Sequence, residues 1–258
     1  MSAMKPLIPL DDARQALFDQ LSVIADVETV ALNDAAGRIL AESVVASINV
    51  PPKANSAMDG YALAAKDAVA GAELSISQRI PAGAVTTPLV SGTAARIFTG
   101  AELPEGADCV VMQENTETIK TGVRILQSAK AAENVRAAGL DITAGEVIVE
   151  AGARLTAPAL GICASTGVTQ LKVFKPLTVA LLSTGDELVE PGVELQPGQI
   201  YNSNRPMLVE LLRQAGFEVV DIARVADNHQ ATRDALIRAA EQADAILTMG
   251  GVSVGEED

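Results

Sequence analysis

"LTVALLSTGDELVEPG", residues 177–192, decides how the second half of the chain folds. Leu177 to Ser183 is a continuous apolar run, the pattern of a strand buried on both faces. It breaks off in Thr184, Gly185, Asp186 and Glu187, a polar corner. Two further β-prone runs follow, "FEVVDIARV" (217–225) and "AILTMGG" (245–251). The spacing predicts a helix from about Pro206 to Ala215, with Leu208, Leu211, Leu212 and Ala215 on one face and Gly216 as its stop. A second helix is predicted to run to about Ala243, with Leu236, Ala239, Ala240 and Ala243 aligned. Strand and helix alternating in this way predict a parallel sheet in a doubly wound α/β domain.

Upstream the texture differs. Asp11 or Asp12 can cap a helix in which Ala13, Leu17, Leu21 and Ile24 share a face, and Asn33 can cap a shorter one through Ala36, Ile39 and Leu40. Val44 to Val50 reads as extended, and Pro51-Pro52 makes a stiff connector that no helix crosses. From about 72 to 130, short β-prone runs broken by Gly and Pro turns predict a small sheet or barrel. Thr156 with Pro158 opens a further helix, and "TQLKVF" reads as a strand. The expected organisation is a mixed domain from 1–50 and 140–176, an inserted β-rich domain at 51–139, and the α/β domain at 177–258. No internal repeat and no low-complexity tract is found.

Among 258 residues there are 19 basic and 33 acidic side chains, a net charge of −14. That argues against nucleic acid, whose affinity comes largely from Lys and Arg on phosphates. Six aromatic residues with no Trp leave little for stacking bases. Cys109 and Cys163 lie in apolar surroundings and read as reduced core residues. No apolar run approaches the ~20 residues of a membrane span, and the first residues lack the pattern of a signal peptide, so a cytoplasmic protein is expected.

In open parallel sheets, ligands bind outside the carboxyl ends of the strands. Three polar corners fall there: Thr184 to Glu187, the region of Asp227, and residues 250–258, "GGVSVGEED". That edge gathers Asp186, Glu187, Asp227 and Asp258 with backbone N–H groups freed at Gly250, Gly251 and Gly255. Such nests suit phosphate, and carboxylates suit the Mg²⁺ that accompanies it. Singly, each piece has a plainer reading: a turn at Gly185, a helix cap at Asp227, a strand exit at Gly250. "NSAMDGYA" (55–62) carries one charged residue, Asp59, and Asp59-Gly60 alone reads as a hairpin turn. Thr99-Gly100 reads likewise, and Arg136 as a surface arginine. His229, the only histidine, allows no His-based metal site or triad.

In this order, "NSAMDGYA", "TGAELPEGADCVVMQE", "VRAAGLDI", "STGDELVEPG", "IYNSNRPML" and "GGVSVGEED" resemble the molybdopterin molybdenumtransferase family, which includes MoeA and the E domain of gephyrin. The resemblance spans essentially the whole chain. It implies an α/β domain of the molybdopterin-binding type, and insertion of molybdate into adenylylated molybdopterin with release of AMP. It also implies Mg²⁺ and a homodimer whose cleft lies between the β insert of one subunit and the α/β domain of the other. By position, Asp59 and Thr99 match residues lining that cleft, with Ser56, Met58, Gly60 and Gly100 beside them. Glu187 and Asp227 match acidic positions tied to catalysis and metal, and Asp258 joins them as a metal position. Thr184, Gly185, Asp186, Arg136, Asp141, Gly250, Gly251 and Ser253 match substrate-contacting positions.

Two positions depart from the family pattern. Leu140 stands where an acidic residue is usual, and Asn202 where many members have Asp. The family also continues past the third strand with a lysine-bearing segment and a C-terminal β domain, so this chain reads as the N-terminal portion of such an enzyme. Two alternatives stand beside it. One is a molybdopterin adenylyltransferase, which shares the α/β fold but would need no "NSAMDGYA" module. The other is a non-enzymatic scaffold of the gephyrin E-domain type.

Overall fold

A computed structural model describes residues 8–250, with the backbone alone at 223 and 224. The chain divides into two compact units. One comprises Ala31–Ala36 and Glu42–Leu171, and the other Met1–Val30, Gly37–Ala41 and Lys172–Asp258.

The first unit is built on a four-stranded sheet in which Ile76–Ile80, Ala94–Ile97, Gly60–Leu63 and Cys109–Met112 lie side by side in that order. The first two run parallel, and the remaining pairs are antiparallel. Gly60–Leu63 is buried along its whole length because both faces are covered. On one face Ala62 packs with Ile80, Ala95, Ile97 and Val110. On the other, Tyr61, Leu63, Cys109 and Val111 meet Val123 and Ile125. The last two belong to a three-stranded sheet of Glu73–Leu74, Gly122–Ile125 and Thr116–Ile119. The β texture expected from 72 to 130 is therefore present as two stacked sheets.

Both cysteines are buried, as read from their surroundings. Burial, with Asp108 and Glu133 nearby, pushes the Cys109 thiol up to about 12, which suits packing and not nucleophilic chemistry. Outside the insert, Val44–Val45 pairs with Val147–Val149. The helix opened by Thr156 spans Ala157–Ser165, with the Thr156 hydroxyl accepting from the Ala159 N–H.

In the second unit, the central strand Thr178–Thr184 pairs in parallel with Glu218–Val225 on one side and Ala245–Met249 on the other. Val179 to Ser183 are all at least nine-tenths buried, as the unbroken apolar run requires. The helix Asn204–Ala215 ends at Gly216, whose φ of 95° only glycine adopts without strain. The helix His229–Gln242 starts at Asn228, whose side chain accepts from the Ala231 N–H at 2.9 Å.

The buried face of this last helix differs from the one expected. Ala235 and Ala239, flanked by Ala231 and Ala243, pack on Ala180, Leu182 and Val225. Leu236 is 37% exposed, and Ala240 is also on the outside. A stripe of alanines at i, i+4 spacing lets the helix backbone approach the sheet more closely than a leucine allows. In the preceding helix, Leu208 and Leu212 are half-buried while Leu211 and Ala215 are exposed.

Two N-terminal expectations are corrected. The first helix runs only from Leu10 to Phe18, so Leu21 and Ile24 lie beyond it, and Asp11 and Asp12 sit in its first turn behind Pro9. None of its residues is buried, and a helix without packing has little to extend it. The segment after Ala31 makes a single 3₁₀ turn, Leu32–Asp34, instead of a helix through Leu40. Gly37 turns the chain at a φ of 77°, and Leu40 then bridges to Val173 as extended backbone.

A close approach in the four-stranded sheet yields a prediction. A Cβ at Gly60 would lie 2.0 Å from the Val111 carbonyl oxygen. Gly60→Ala must push the strand Gly60–Leu63 away from its neighbour Cys109–Met112 and should lower stability by about 2–3 kcal/mol in urea denaturation. A variant as stable as the parent would contradict that packing.

Candidate functional site

Asp59 stands immediately before the buried strand Gly60–Leu63, and Thr99 two residues after Ala94–Ile97. Because Gly60 pairs with Ile97, the antiparallel register brings the two together. Asp59 Oδ1 accepts from the Thr99 N–H and from the Thr99 hydroxyl, each at 2.8 Å. These bonds hold the carboxyl below its usual range, the backbone donor contributing most and the hydroxyl next. Burial opposes them, and the positive charge of Arg96 adds the least of these effects, in the lowering direction. The result is an ionised carboxylate, fixed in direction and open to solvent.

Arg96 also braces the turn mechanically. Its Nη1 donates to Gly60 O at 2.9 Å and its Nη2 to Gln113 Oε1 at 2.8 Å. The Gln113 N–H donates to Asp59 O at 3.0 Å, which closes the ring around the turn. Neither residue was singled out from sequence. The available signal was a lone arginine in the apolar strand "AARIF", where a charged side chain must find partners.

The rest of the "NSAMDGYA" segment is tied beside them. Ser56 is fully buried, its hydroxyl bonded to the backbone of Met58. The Gly100 N–H donates to Ser56 O at 2.9 Å, and Gly100 itself has a φ of 81°. Met58 is 42% exposed. Val135–Arg136 pairs with Asn55–Ser56, so Arg136 reaches the same neighbourhood with its side chain exposed. A cleft of about 430 Å³ opens here, lined by Lys53, Asn55, Thr86, Gly100 and Glu102 among others. Lys53 Nζ and Glu102 Oε1 pair across it at 2.6 Å. Asn55 Oδ1 is buried without a hydrogen-bond partner among the described residues. Asp141 lies apart from this group, exposed, with its N–H bonded to Val50 O. Leu140 is 60% exposed.

In the α/β unit, the carboxyl ends of the three strands meet as the topology demands. Thr184 Oγ1 donates to Met249 O at 3.2 Å, and a Cβ at Gly250 would lie 2.4 Å from the Thr184 hydroxyl oxygen. The Asp227 N–H donates to Asp186 Oδ1 at 3.4 Å. Gly185 has a φ of 136°, and a Cβ there would lie 2.7 Å from Glu187 Oε2, so the Glu187 carboxylate folds back over the glycine. Asp186, Glu187 and Asp227 are all exposed. Gly251, Ser253 and Asp258 lie outside the described residues.

Hard carboxylate oxygens are the right donors for Mg²⁺. Among the described residues, however, no three acidic, His or Cys side chains converge on one point. That donor set suits an ion held by one or two carboxylates and completed by substrate phosphates, not a finished protein cage. Asn202, the departure noted in the sequence, is buried. Its Oδ1 accepts from the Arg205 N–H at 3.2 Å, a structural tie at the start of a helix.

Comparison with known proteins accounts for the same two regions. Residues 8–167 match the MoeA N-terminal region (domain I and II), and residues 180–258 match the probable molybdopterin binding domain. A molybdopterin molybdenumtransferase of Haemophilus influenzae is 42% identical over 98% of this chain and 63% of its own length. One from Nostoc is 39% identical over 99% of this chain and 61% of its own. The chain thus spans about three fifths of the length of these curated relatives. A MoeA protein of Pyrococcus horikoshii OT3 superposes with a TM-score of 0.87 at 29% identity, covering 96% of this chain and 68% of that one.

The order of the causes acting on Asp59 makes a prediction about its titration. The backbone donor outweighs the hydroxyl, so Thr99→Ala should raise the Asp59 pKa only part of the way toward 3.8, as followed by carboxyl ¹³C NMR. Since the folded pKa is depressed, the stabilisation it represents is present above 3.8 and is lost as pH falls through the folded value. An unshifted Asp59 in the parent protein would contradict the geometry.

Proposed function

The chain belongs to the MoeA family, and we propose that it carries most of the apparatus for inserting molybdate into adenylylated molybdopterin with release of AMP. The observation that carries this reading is the ionised Asp59 locked by Thr99 inside the "NSAMDGYA" module. An adenylyltransferase built on the α/β domain alone would have no use for that module. A scaffold would have no use for a carboxylate fixed toward solvent.

Both substrates are anions, so carboxylates near them must act with cations between. Glu187 and Asp227, with Asp258 from outside the described residues, would hold a Mg²⁺ ion. When bound, that ion offsets phosphate charge and polarises the pyrophosphate bond. The protein's own part is positioning. Thr184 fixes the strand end at Met249, and the glycines at 185 and 250 let the Glu187 carboxylate and the Thr184 hydroxyl pack directly against the backbone. Asp59 stays charged without rearranging, because its two donors are already in place. We further propose a cytoplasmic homodimer in which Asp59 of one subunit serves the strand-end edge of the other.

In the complete enzyme, Asp59→Asn should abolish molybdate insertion while the protein stays folded, with only a small fall in melting temperature from the lost carboxylate. Wild-type rates in that variant would remove Asp59 from the reaction. Glu187→Gln should raise the Mg²⁺ concentration needed for half-maximal turnover, and an unchanged Mg²⁺ dependence would take Glu187 out of the metal role.

A further inference from the structure

Arg79 and Arg96 face each other in register on the neighbouring parallel strands Ile76–Ile80 and Ala94–Ile97. Like charges opposite one another in a sheet are destabilising. This pair stands in a chain with 33 acidic residues, where carboxylates are plentiful. Elsewhere arginines take them: Arg38 pairs with Glu28, Arg124 with Glu73 and Glu117, and Arg205 with Glu190 and Asp221. Neither Arg79 nor Arg96 has a carboxylate within ion-pair distance among the described residues. Both guanidinium groups lie over the ring of Phe98, Arg79 at 4.6 Å and Arg96 at 4.5 Å from its centroid. Arg96 is also 5.3 Å from the Tyr61 ring.

Stacking on an aromatic ring orients a guanidinium and leaves its N–H donors at the edges free for a ligand. Arg96 spends its donors on Gly60, Ile97 and Gln113. Arg79 is exposed, and none of its side-chain donors is hydrogen-bonded among the described residues. Phe98 directly precedes Thr99, so the pair borders the Asp59 site, and the charge of Arg96 is already felt by Asp59. Two adjacent cations beside one carboxylate leave a net positive charge at this point of an acidic protein.

We propose that Arg79, aligned by Phe98 and reinforced by Arg96, binds a tetrahedral oxyanion beside Asp59. Arg79 supplies the hydrogen bonds, and Arg96 contributes charge and holds the turn. Two sources share this chemistry, molybdate itself and a phosphate group of the pterin substrate. Which is natural rests on the functional reading above, whereas binding of the inorganic anion does not.

The test is calorimetric titration of the full chain at constant ionic strength with sodium molybdate and, separately, with inorganic phosphate. Parent, Arg79→Ala and Arg79→Glu proteins are compared, with melting temperatures measured for each. Binding by the parent is expected, weakened about tenfold or more by Arg79→Ala and abolished by Arg79→Glu. The melting temperature should hold or rise in both variants, and rise most in Arg79→Glu, because like-charge repulsion gives way to attraction across the register. The anion more strongly affected identifies the source. A parent that binds neither anion, or variants that bind as the parent does, would overturn the proposal. A fall in melting temperature with affinity unchanged would also overturn it, leaving the stack a purely structural one. Turnover of the complete enzyme separates the two claims: an active enzyme with an indifferent Arg79 loses only the anion site, and an inactive one with a binding Arg79 loses the transferase reading.

Discussion

The contact on which the rest of the first unit depends is the approach of Gly60 to the Val111 carbonyl. No side chain fits there, so the strand beginning at Gly60 can lie flat between two antiparallel neighbours. That register brings Asp59 beside Thr99, and two hydrogen bonds fix its direction. The Asp59 carboxylate then accepts two hydrogen bonds from one residue, and stays ionised without needing a buried cation. Arg96 completes the arrangement by tying Gly60 and Gln113 to the same strand end. A carboxylate held this way is ready for a charged ligand at no reorganisation cost, the property expected of a preorganised site.

The α/β unit reaches a similar end by a different route. Its sheet is parallel, so all three strands finish on one edge, and the chemistry there follows from topology. The residues at that edge touch in pairs, Thr184 with Met249 and Asp227 with Asp186. Among the described residues its acidic side chains are exposed and do not form a cage of their own. The edge is therefore suited to a ligand that brings its own charge and completes the coordination of a cation.

Much of this was legible in the sequence, for reasons particular residues explain. An unbroken apolar run such as Leu177 to Ser183 can hardly be anything but a doubly covered strand, and Gly216 and Asn228 mark helix ends by chemistry that acts locally. The N-terminal helices were overread because apolar spacing says nothing about whether a partner surface exists for Leu17, Leu21 or Ile24. On the helix His229–Gln242 the expected Ala239 and Ala243 do face the sheet, but Leu236 and Ala240 do not and Ala235 takes that side, because close packing on a sheet favours alanine over the leucine that a periodicity count favours. At the candidate site, Asp59 and Thr99 are named only by the family resemblance, while Glu187 and Asp227 are also marked by their place at strand ends. Arg96, Gln113 and the Arg79–Phe98 stack did not stand out, since their roles come from cross-strand register, and register joins residues tens of positions apart. The buried Asn55 Oδ1 was equally invisible, because burial of a single atom depends on the whole cleft around it.

The central claim, that this chain assembles a site for an adenylylated pterin, is tested most directly by calorimetric titration of the folded chain with adenylylated molybdopterin, with and without Mg²⁺. The account predicts binding that tightens when Mg²⁺ is present and weakens when it is chelated. Absence of binding by a protein shown to be folded, in either condition, would contradict it.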